Sequence, residues 1–186
     1  MTRLPAADRA VASAYLDATT AGEEAGSALL PELRRLFQSR PDAALETYLG
    51  AIGEVAADRA VRRPRCVWAL RRLEEAVELI GATPSLAPRF QADFLRLRAM
   101  LHLRLGAGTE AVIEMESAMQ AAMRHHDRGA AARVLEELAE AAFAAGAPDP
   151  AACCNRHALT NFEVAGDTAG VDRCRRRAER LAAPET

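Results

Sequence analysis

The C-terminal half of the chain repeats itself with a period of 40 residues. Gly106 recurs as Gly146 and Asp127 recurs as Asp167 when the sequence is shifted by 40 positions. A period of roughly 20–50 residues is typical of stacked architectures, in which each unit buries its apolar face only against its neighbours. The repeat therefore predicts a stack of similar units whose surface is suited to holding another molecule.

Composition and apolar spacing both indicate that the units are helical. Helix formers such as Ala, Leu, Arg and Glu dominate the 186 residues, whereas aromatic residues make up only 4%. Phe90, Phe94 and Leu97 fall at positions i, i+4 and i+7, which places them on one helical stripe. We therefore expect an all-α fold of about nine helices, in which short connections make consecutive helices antiparallel. The expected helices are 5–19, 22–38, 41–60, 64–80, 86–105, 109–125, 128–145, 149–165 and 168–182.

Residues typical of helix ends support these boundaries. Asp and Thr side chains accept hydrogen bonds from the free N–H groups that begin a helix, and glycine adopts the left-handed conformation that often ends one. The expected N-caps are Thr109, Asp127, Asp149 and Asp167, and the expected C-caps are Gly81, Gly106, Gly146 and Gly166. Pro31 lies inside the second expected helix and should kink it or split it at Leu30.

A finer register runs through the repeat, with small residues at the expected helix crossings and a larger residue between them. Successive positions are separated by 7, 5, 4 and 3 residues in every copy. The copies are Ala57, Pro64, Ala69, Leu73 and Ala76; Ala99, Gly106, Ala111, Met115 and Ala118; and Ala139, Gly146, Ala151, Asn155 and Ala158. Over residues 50–182 this register resembles the tetratricopeptide repeat (TPR), in the extended TPR-like form of bacterial regulatory and signalling proteins.

The resemblance implies a right-handed superhelical stack of antiparallel helix pairs. It also implies one continuous domain, in which residues 51–182 form TPR-like repeats with an arginine-rich capping helix at the C-terminal end. Residues 1–50 do not hold the register and are expected to form an N-terminal helical pair or cap. Two positions depart from the family pattern, because Asn155 stands where a large apolar residue belongs and Pro64 replaces a turn glycine.

In folds of this kind, one series of helices lines a concave groove that binds extended peptides. Transferring the register predicts a groove formed by Glu54, Asp58, Arg62, Arg96, Met100, Leu103, Arg104, Glu136, Glu140, Phe143, Arg173, Arg176 and Arg180. Two interpretations stay open. In the first interpretation, the charged residues pair between adjacent repeats and stabilise the stack. In the second, they form a mixed-charge groove in which Met100, Leu103 and Phe143 contact a partner.

Arginines are concentrated in the last expected helix. They are Arg173, Arg175, Arg176, Arg177 and Arg180. The terminal unit of a stack exposes to solvent a face that inner units bury, so a polar last helix is expected on structural grounds. The alternative is a patch for an acidic partner or nucleic acid. The absence of interleaved aromatic residues for base stacking and the net charge of −2 argue against nucleic acid.

No sequence pattern points to catalysis, and we expect neither an enzyme nor a cofactor. All 24 basic residues are Arg, which excludes a Schiff-base lysine and the lysine of a phosphate-binding loop. The serines and histidines have no glycine-framed nucleophile turn around them. We interpret the clustered carboxylates as solvated helix faces with ion pairs between positions i and i+4. These carboxylates are Glu74, Glu75, Glu78, Glu110, Glu114, Glu136, Glu137 and Glu140.

The cysteines allow three interpretations. Cys153 and His157 fall at i and i+4 and could both ligate zinc, but no CxxC pair is present. The vicinal pair Cys153 and Cys154 could have a redox role. Burial of the cysteines in a helix interface is the interpretation that we favour, and we expect no metal site.

The sequence therefore predicts a non-enzymatic protein–protein interaction module, an adaptor or regulatory domain that binds a peptide or protein segment in its groove. One alternative is a structural subunit that self-associates through apolar helix faces into a homo-oligomer. Another is a regulatory domain that senses a small ligand. Because no apolar run is long enough for a signal peptide core or a membrane span, we expect a cytoplasmic protein with no membrane partner.

Overall fold

A computed structural model describes residues 6–21, 23–58, 60–81 and 87–182, which are helical apart from short turns and contain no strand. The predicted all-α class is therefore confirmed. The helices in these ranges are α1 (Ala6–Ala21), α2 (Glu23–Ser27), α3 (Leu30–Ser39), α4 (Pro41–Ala57), α5 (Arg63–Gly81), α6 (Ala87–Leu105), α7 (Gly108–Arg124), α8 (Arg128–Ala144), α9 (Pro148–Ala165) and α10 (Thr168–Ala182).

The second expected helix is split at its proline, as predicted. α2 ends at Ser27, and α3 begins at Leu30 with Pro31 in its first turn. Proline is tolerated there because the first N–H groups of a helix have no partner within the helix. The split produces one short helix more than the expected number.

The chain packs as two compact units. Among the described residues, the first unit contains those up to residue 90 together with 100–111, and the second contains 91–99 and those from 112 onwards. The expected division near residue 50 falls inside α4 of the first unit. Because α4 packs against α1, α3 and α5, the helices on both sides of residue 50 share one core. Leu33, Leu45 and Leu73 are fully buried in it.

The second unit is packed largely by alanines. α8 packs along α9, and α9 packs along α10. Small side chains at the crossings let these helices approach closely. The register positions predicted as crossings are buried in their units: Ala69, Leu73, Ala76, Ala99, Ala111, Met115, Ala118, Ala139, Ala151, Asn155 and Ala158. Ala57 is exposed while its neighbour Ala56 is buried, and the turn positions Pro64, Gly106 and Gly146 are exposed as well.

One turn geometry recurs every 20 residues in the second half of the chain. The turn residues are Gly106, His126, Gly146 and Gly166, with φ of 80°, 51°, 73° and 72°. In the third turn, the N–H of Gly146 donates to the carbonyl of Phe143 at 3.0 Å, and the next N–H donates to the carbonyl of Ala142 at 2.9 Å. The other turns make the same two bonds, which satisfy free carbonyls at the helix end. The predicted C-caps Gly106, Gly146 and Gly166 are confirmed.

The predicted N-caps are confirmed at alternate turns only. Asp127 accepts the N–H of Ala130 at 2.8 Å, and Asp167 accepts the N–H of Gly170 at 2.9 Å. Thr109 and Asp149 are not caps, because α7 and α9 begin one residue earlier than expected. The turn before each of these helices determines the residue at which the helix begins. An alanine therefore occupies the N-cap position of both α7 and α9. Gly81 is the last residue of α5, and its cap stays a prediction because residues 82–86 lie outside the described part.

Candidate functional site

The predicted groove residues divide between the two units. The first unit contains Glu54, Asp58, Arg62, Met100, Leu103 and Arg104, and the second contains Arg96, Glu136, Glu140, Phe143, Arg173, Arg176 and Arg180. The charged residues of the two sets have different surroundings. Most of those in the second unit pair with one another, whereas the acidic residues of the first unit line a cleft.

In the second unit, α10 is joined to α8 by arginine–carboxylate pairs. Arg173 donates two parallel hydrogen bonds to the carboxylate of Glu136, each of 2.9 Å. Arg180 donates to Glu140 at 2.9 Å. These charge-assisted bonds raise the pKa of the Arg173 guanidinium. Glu136 is 8% exposed and is therefore not part of a solvated face, contrary to the prediction from its helical spacing.

Arg177 is the centre of this pairing, and the groove prediction did not include it. Its buried guanidinium donates to Glu140 at 2.7 Å, to the Asn155 side-chain oxygen at 2.9 Å and to Glu136 at 3.2 Å. Asn155 in turn donates to the carbonyl of Cys174 at 2.9 Å. This explains why a polar residue occupies an apolar register position. The departure from the register at Asn155 was the one sequence signal that could have pointed to Arg177.

Burial and hydrogen bonding act in opposite directions on Glu140. Burial by itself would raise the pKa of this carboxyl group. The hydrogen bonds and charges of Arg177 and Arg180 outweigh burial, so the pKa of Glu140 lies below its ordinary value. The carboxylate therefore stays ionised as a partner of both arginines at neutral pH.

The same kind of pairing joins α6 to α8. Arg133 donates two hydrogen bonds of 3.0 Å to Asp93, and Arg96 lies 3.4 Å from Glu137 and 3.5 Å from Asp93. Partners on different helices are 37 to 41 positions apart, which is about one repeat. We call this set the arginine ladder: Asp93, Arg96, Arg133, Glu136, Glu137, Glu140, Arg173, Arg177 and Arg180.

The ladder agrees with the first of the two interpretations of the groove charges. Arg96, Glu136, Glu140, Arg173 and Arg180 bind partners one repeat away. Their role in binding another molecule stays a prediction.

The apolar groove residues are not equally accessible. Leu103 and Phe143 are 41% and 42% exposed and can contact a partner. Met100 is 7% exposed. The expectation that it supplies a contact surface is therefore wrong, because Met100 lies on the buried side of α6.

The remaining groove arginines lie at the surface. Arg62 and Arg176 are exposed. Arg104 is also exposed, and its Nε donates to the carbonyl of Ala56 at 3.5 Å. Within the first unit this contact links α6 to the end of α4.

Several large apolar side chains of the second unit face solvent. Val112, Ile113, Met123 and Val164 are each more than half exposed. Surface apolar residues of this kind are the ones that self-association would use. The predicted homo-oligomer stays a prediction.

The first unit contains a cleft of 310 Å³ between α1, α4 and α5. Its lining residues are Ser13, Leu16, Asp17, Ala51, Glu54, Val55, Asp58, Val61, Arg65 and Trp68. Glu54 and Asp58 are predicted groove residues, and the structure brings them together with Asp17. The sequence prediction missed Asp17 and Trp68 because it assigned no register to residues before 50 and followed only one helix of each pair.

Aromatic and apolar groups complete the cleft. Trp68 is half-buried, and its indole N–H donates to Thr19 at 3.1 Å. The guanidinium of Arg65 lies 4.5 Å from the centre of the Trp68 ring. At the rim, Asp58 accepts the N–H of Ala60 at 2.8 Å. The cleft thus combines an apolar floor with charged groups at its mouth.

A buried polar network holds the three helices of the cleft together. Tyr15 of α1 and Tyr48 of α4 both donate to the carboxylate of Glu75 in α5, Tyr48 at 2.9 Å. Arg72 donates to the Tyr15 hydroxyl at 2.9 Å and lies 3.1 Å from Glu75. Burial, followed by the charge of Glu75, raises the pKa of the Tyr48 hydroxyl, so it remains a donor. Glu75 was predicted to lie on a solvated face, and this is wrong.

The four cysteines are free thiols with different exposures. Cys66 and Cys174 are buried, in agreement with the packing interpretation, but Cys153 is exposed and Cys154 is half-buried. Burial, and then the neighbouring Cys153, raise the pKa of the Cys154 thiol. Within the described ranges, no group of three or more His, Cys, Asp or Glu side chains is placed to hold a metal ion.

No protein-family model matches the chain, and no curated protein is significantly similar to it. Among the described helices, none is both long enough and apolar enough to cross a membrane.

Proposed function

We propose that this protein is a non-catalytic interaction module, an adaptor or regulatory domain of TPR-like superhelical form that binds a peptide or protein segment. The observation that carries the proposal is the cleft of the first unit. It joins two predicted groove residues, Glu54 and Asp58, to the half-buried aromatic side chain of Trp68. A cleft of 310 Å³ is at the small end of the range for ligand sites, so it takes one or two side chains of a segment.

The two units support this function in different ways. In the second unit the ladder carboxylates already bind arginines of the same chain, so they offer little free charge to a partner. The cleft carboxylates are at the surface. Recognition is therefore assigned to the first unit. The exposed Leu103 offers an apolar contact within that same unit.

We place this function in the cytoplasm, where thiols remain reduced. All four cysteines are free. The buried cysteines serve to pack the helix interfaces. The protein requires no cofactor for binding.

The test is selection of peptides from a random library on the intact protein, followed by measurement of their affinities for purified variants. Peptides that use the cleft should bind wild type and lose affinity for Glu54→Arg/Asp58→Arg. They should keep their affinity for Glu46→Arg, which makes one such charge reversal at an exposed position of α4 outside the cleft. Failure to select any peptide, or equal binding to all three proteins, would contradict the proposal.

A further inference from the structure

The described residues that line the cleft are mainly acidic in charge. Asp17, Glu54 and Asp58 line it, and among the described lining residues Arg65 is the one basic side chain. Asp17 comes from α1, and Glu54 lies in the last turn of α4 just before Asp58. Different elements of the first unit therefore place carboxylates around the same concave space.

These carboxylates are not neutralised in the way that those of the ladder are. Within the described part of the chain, none of the three forms an ion pair within 4.0 Å, whereas Glu136 and Glu140 each bind two arginines. The guanidinium of Arg65 lies over the Trp68 ring, at 4.5 Å, and so stands on the aromatic wall of the cleft. Among the described residues, the Asp17 carboxylate accepts one hydrogen bond, from a hydroxyl group, and the Asp58 carboxylate accepts one, from a backbone N–H.

The floor of the cleft is apolar while its rim is acidic. Leu16 is buried at the bottom, and Ala51, Val55 and Val61 are half-buried around it. A basic side chain has the matching form, because its aliphatic stem packs on apolar surface while its charged head stays at the mouth. An acidic side chain would repel the carboxylates, and a purely apolar side chain would leave them without a partner.

We infer that the cleft of the first unit binds an arginine side chain of the partner segment, with the guanidinium at Asp17, Glu54 and Asp58 and the stem against Leu16 and Val55. This inference rests on the proposed function and names the chemistry of the residue bound. Arginine fits better than lysine because its planar fork donates to two carboxylates at once and stacks on aromatic surfaces, as Arg65 already does on Trp68.

Trp68 provides a direct readout, since it is the only tryptophan of the chain and lines the cleft. The probes are the library-selected peptides and copies in which each arginine is replaced by citrulline, which has the same shape without the charge. Each is titrated into the intact protein while Trp68 fluorescence is recorded. We expect one arginine per peptide whose replacement by citrulline weakens binding about tenfold or more, and whose replacement by lysine has a smaller effect.

The protein is then varied without changing its shape. Glu54→Gln/Asp58→Asn should weaken the arginine peptide about tenfold or more and leave the citrulline peptide unaffected. Glu46→Gln should bind both peptides as wild type does. Circular dichroism of each variant confirms that the helices are intact. Glu54→Arg should in turn prefer a peptide in which glutamate replaces the critical arginine.

The outcomes separate the two proposals. If selected peptides bind through the cleft but tolerate citrulline at every arginine, the arginine inference is wrong and the proposed function stands. If no peptide is selected, both fail. If free arginine or spermidine competes for the cleft as tightly as the peptide, the ligand is a small cation, and the assignment to a peptide is wrong.

Discussion

At the scale of single residues, Phe162 and Gly170 form a complementary pair between α9 and α10. A Cβ atom placed on Gly170 would lie 2.5 Å from the Phe162 ring. One repeat earlier the equivalent residues are Ala122 and Ala130, which share a buried cluster. At this crossing the repeat therefore places either two small side chains or a large side chain opposite a glycine. We predict that Gly170→Ala destabilises the protein by about 1–3 kcal/mol through overpacking.

A double-mutant cycle tests this complementarity. Phe162→Ala should cost about 3–5 kcal/mol because it leaves a cavity. Phe162→Ala/Gly170→Ala recreates the pair of alanines and should cost at least about 1 kcal/mol less than the sum of the single changes. Free energies of unfolding come from denaturant titrations. The milder Phe162→Leu replaces Phe162→Ala if the latter does not fold. Additive costs would show that the two residues do not compensate each other.

At the scale of elements, the turn between α7 and α8 has a histidine at the left-handed position where its counterparts have glycine. His126 has φ of 51°, where the other turns have glycine. A side chain in this conformation costs about 1–2 kcal/mol, and glycine loses about 0.5–1 kcal/mol more chain entropy on folding. We therefore predict that His126→Gly stabilises the protein by about 0.5–1 kcal/mol, measured as a shift of the denaturation midpoint.

The adjacent residue provides the matched control for this change. His125 is also exposed and lies in the same turn, but its φ is not positive. His125→Gly gains no relief of strain and should destabilise the protein by up to about 1 kcal/mol. Equal effects of the two substitutions would indicate that turn strain does not limit the stability of this helix pair.

The helix ends that were predicted correctly were predictable because their causes are local. Gly146 and Asp127 act through bonds to residues within one turn, so the sequence contains nearly all the necessary information. Charge partners were not predictable in the same way. The spacing of Glu75 and Glu136 on their helices fits a solvated face as well as it fits a buried one. Only the packing of separate helices places Glu75 beside two tyrosines and Glu136 beside two arginines.

At the scale of the whole molecule, the two units use charge for different purposes. The first unit leaves carboxylates at the rim of an open cleft, whereas the second joins its helices through the ladder. The stability of the second unit should therefore depend on acidity. The carboxyl group of Glu140 has a lowered pKa in the folded protein. Its contribution is present above the pKa of an unfolded glutamate, which is about 4.3, and is lost as pH falls through the lower folded value.

Comparing wild type with Glu140→Gln isolates this contribution from every other titrating group. At neutral pH the variant should be less stable by about 2 kcal/mol, because Arg177 and Arg180 lose a shared charged partner. The difference should shrink as pH falls below about 4, since wild-type Glu140 is then increasingly protonated and the two proteins become alike. Unfolding of the intact protein is followed by circular dichroism. Glu179→Gln changes an exposed glutamate of α10 and should differ from wild type by less than about 0.5 kcal/mol at every pH. A difference for Glu140→Gln that is constant with pH would mean that the ladder stabilises the helices by packing and not by charge.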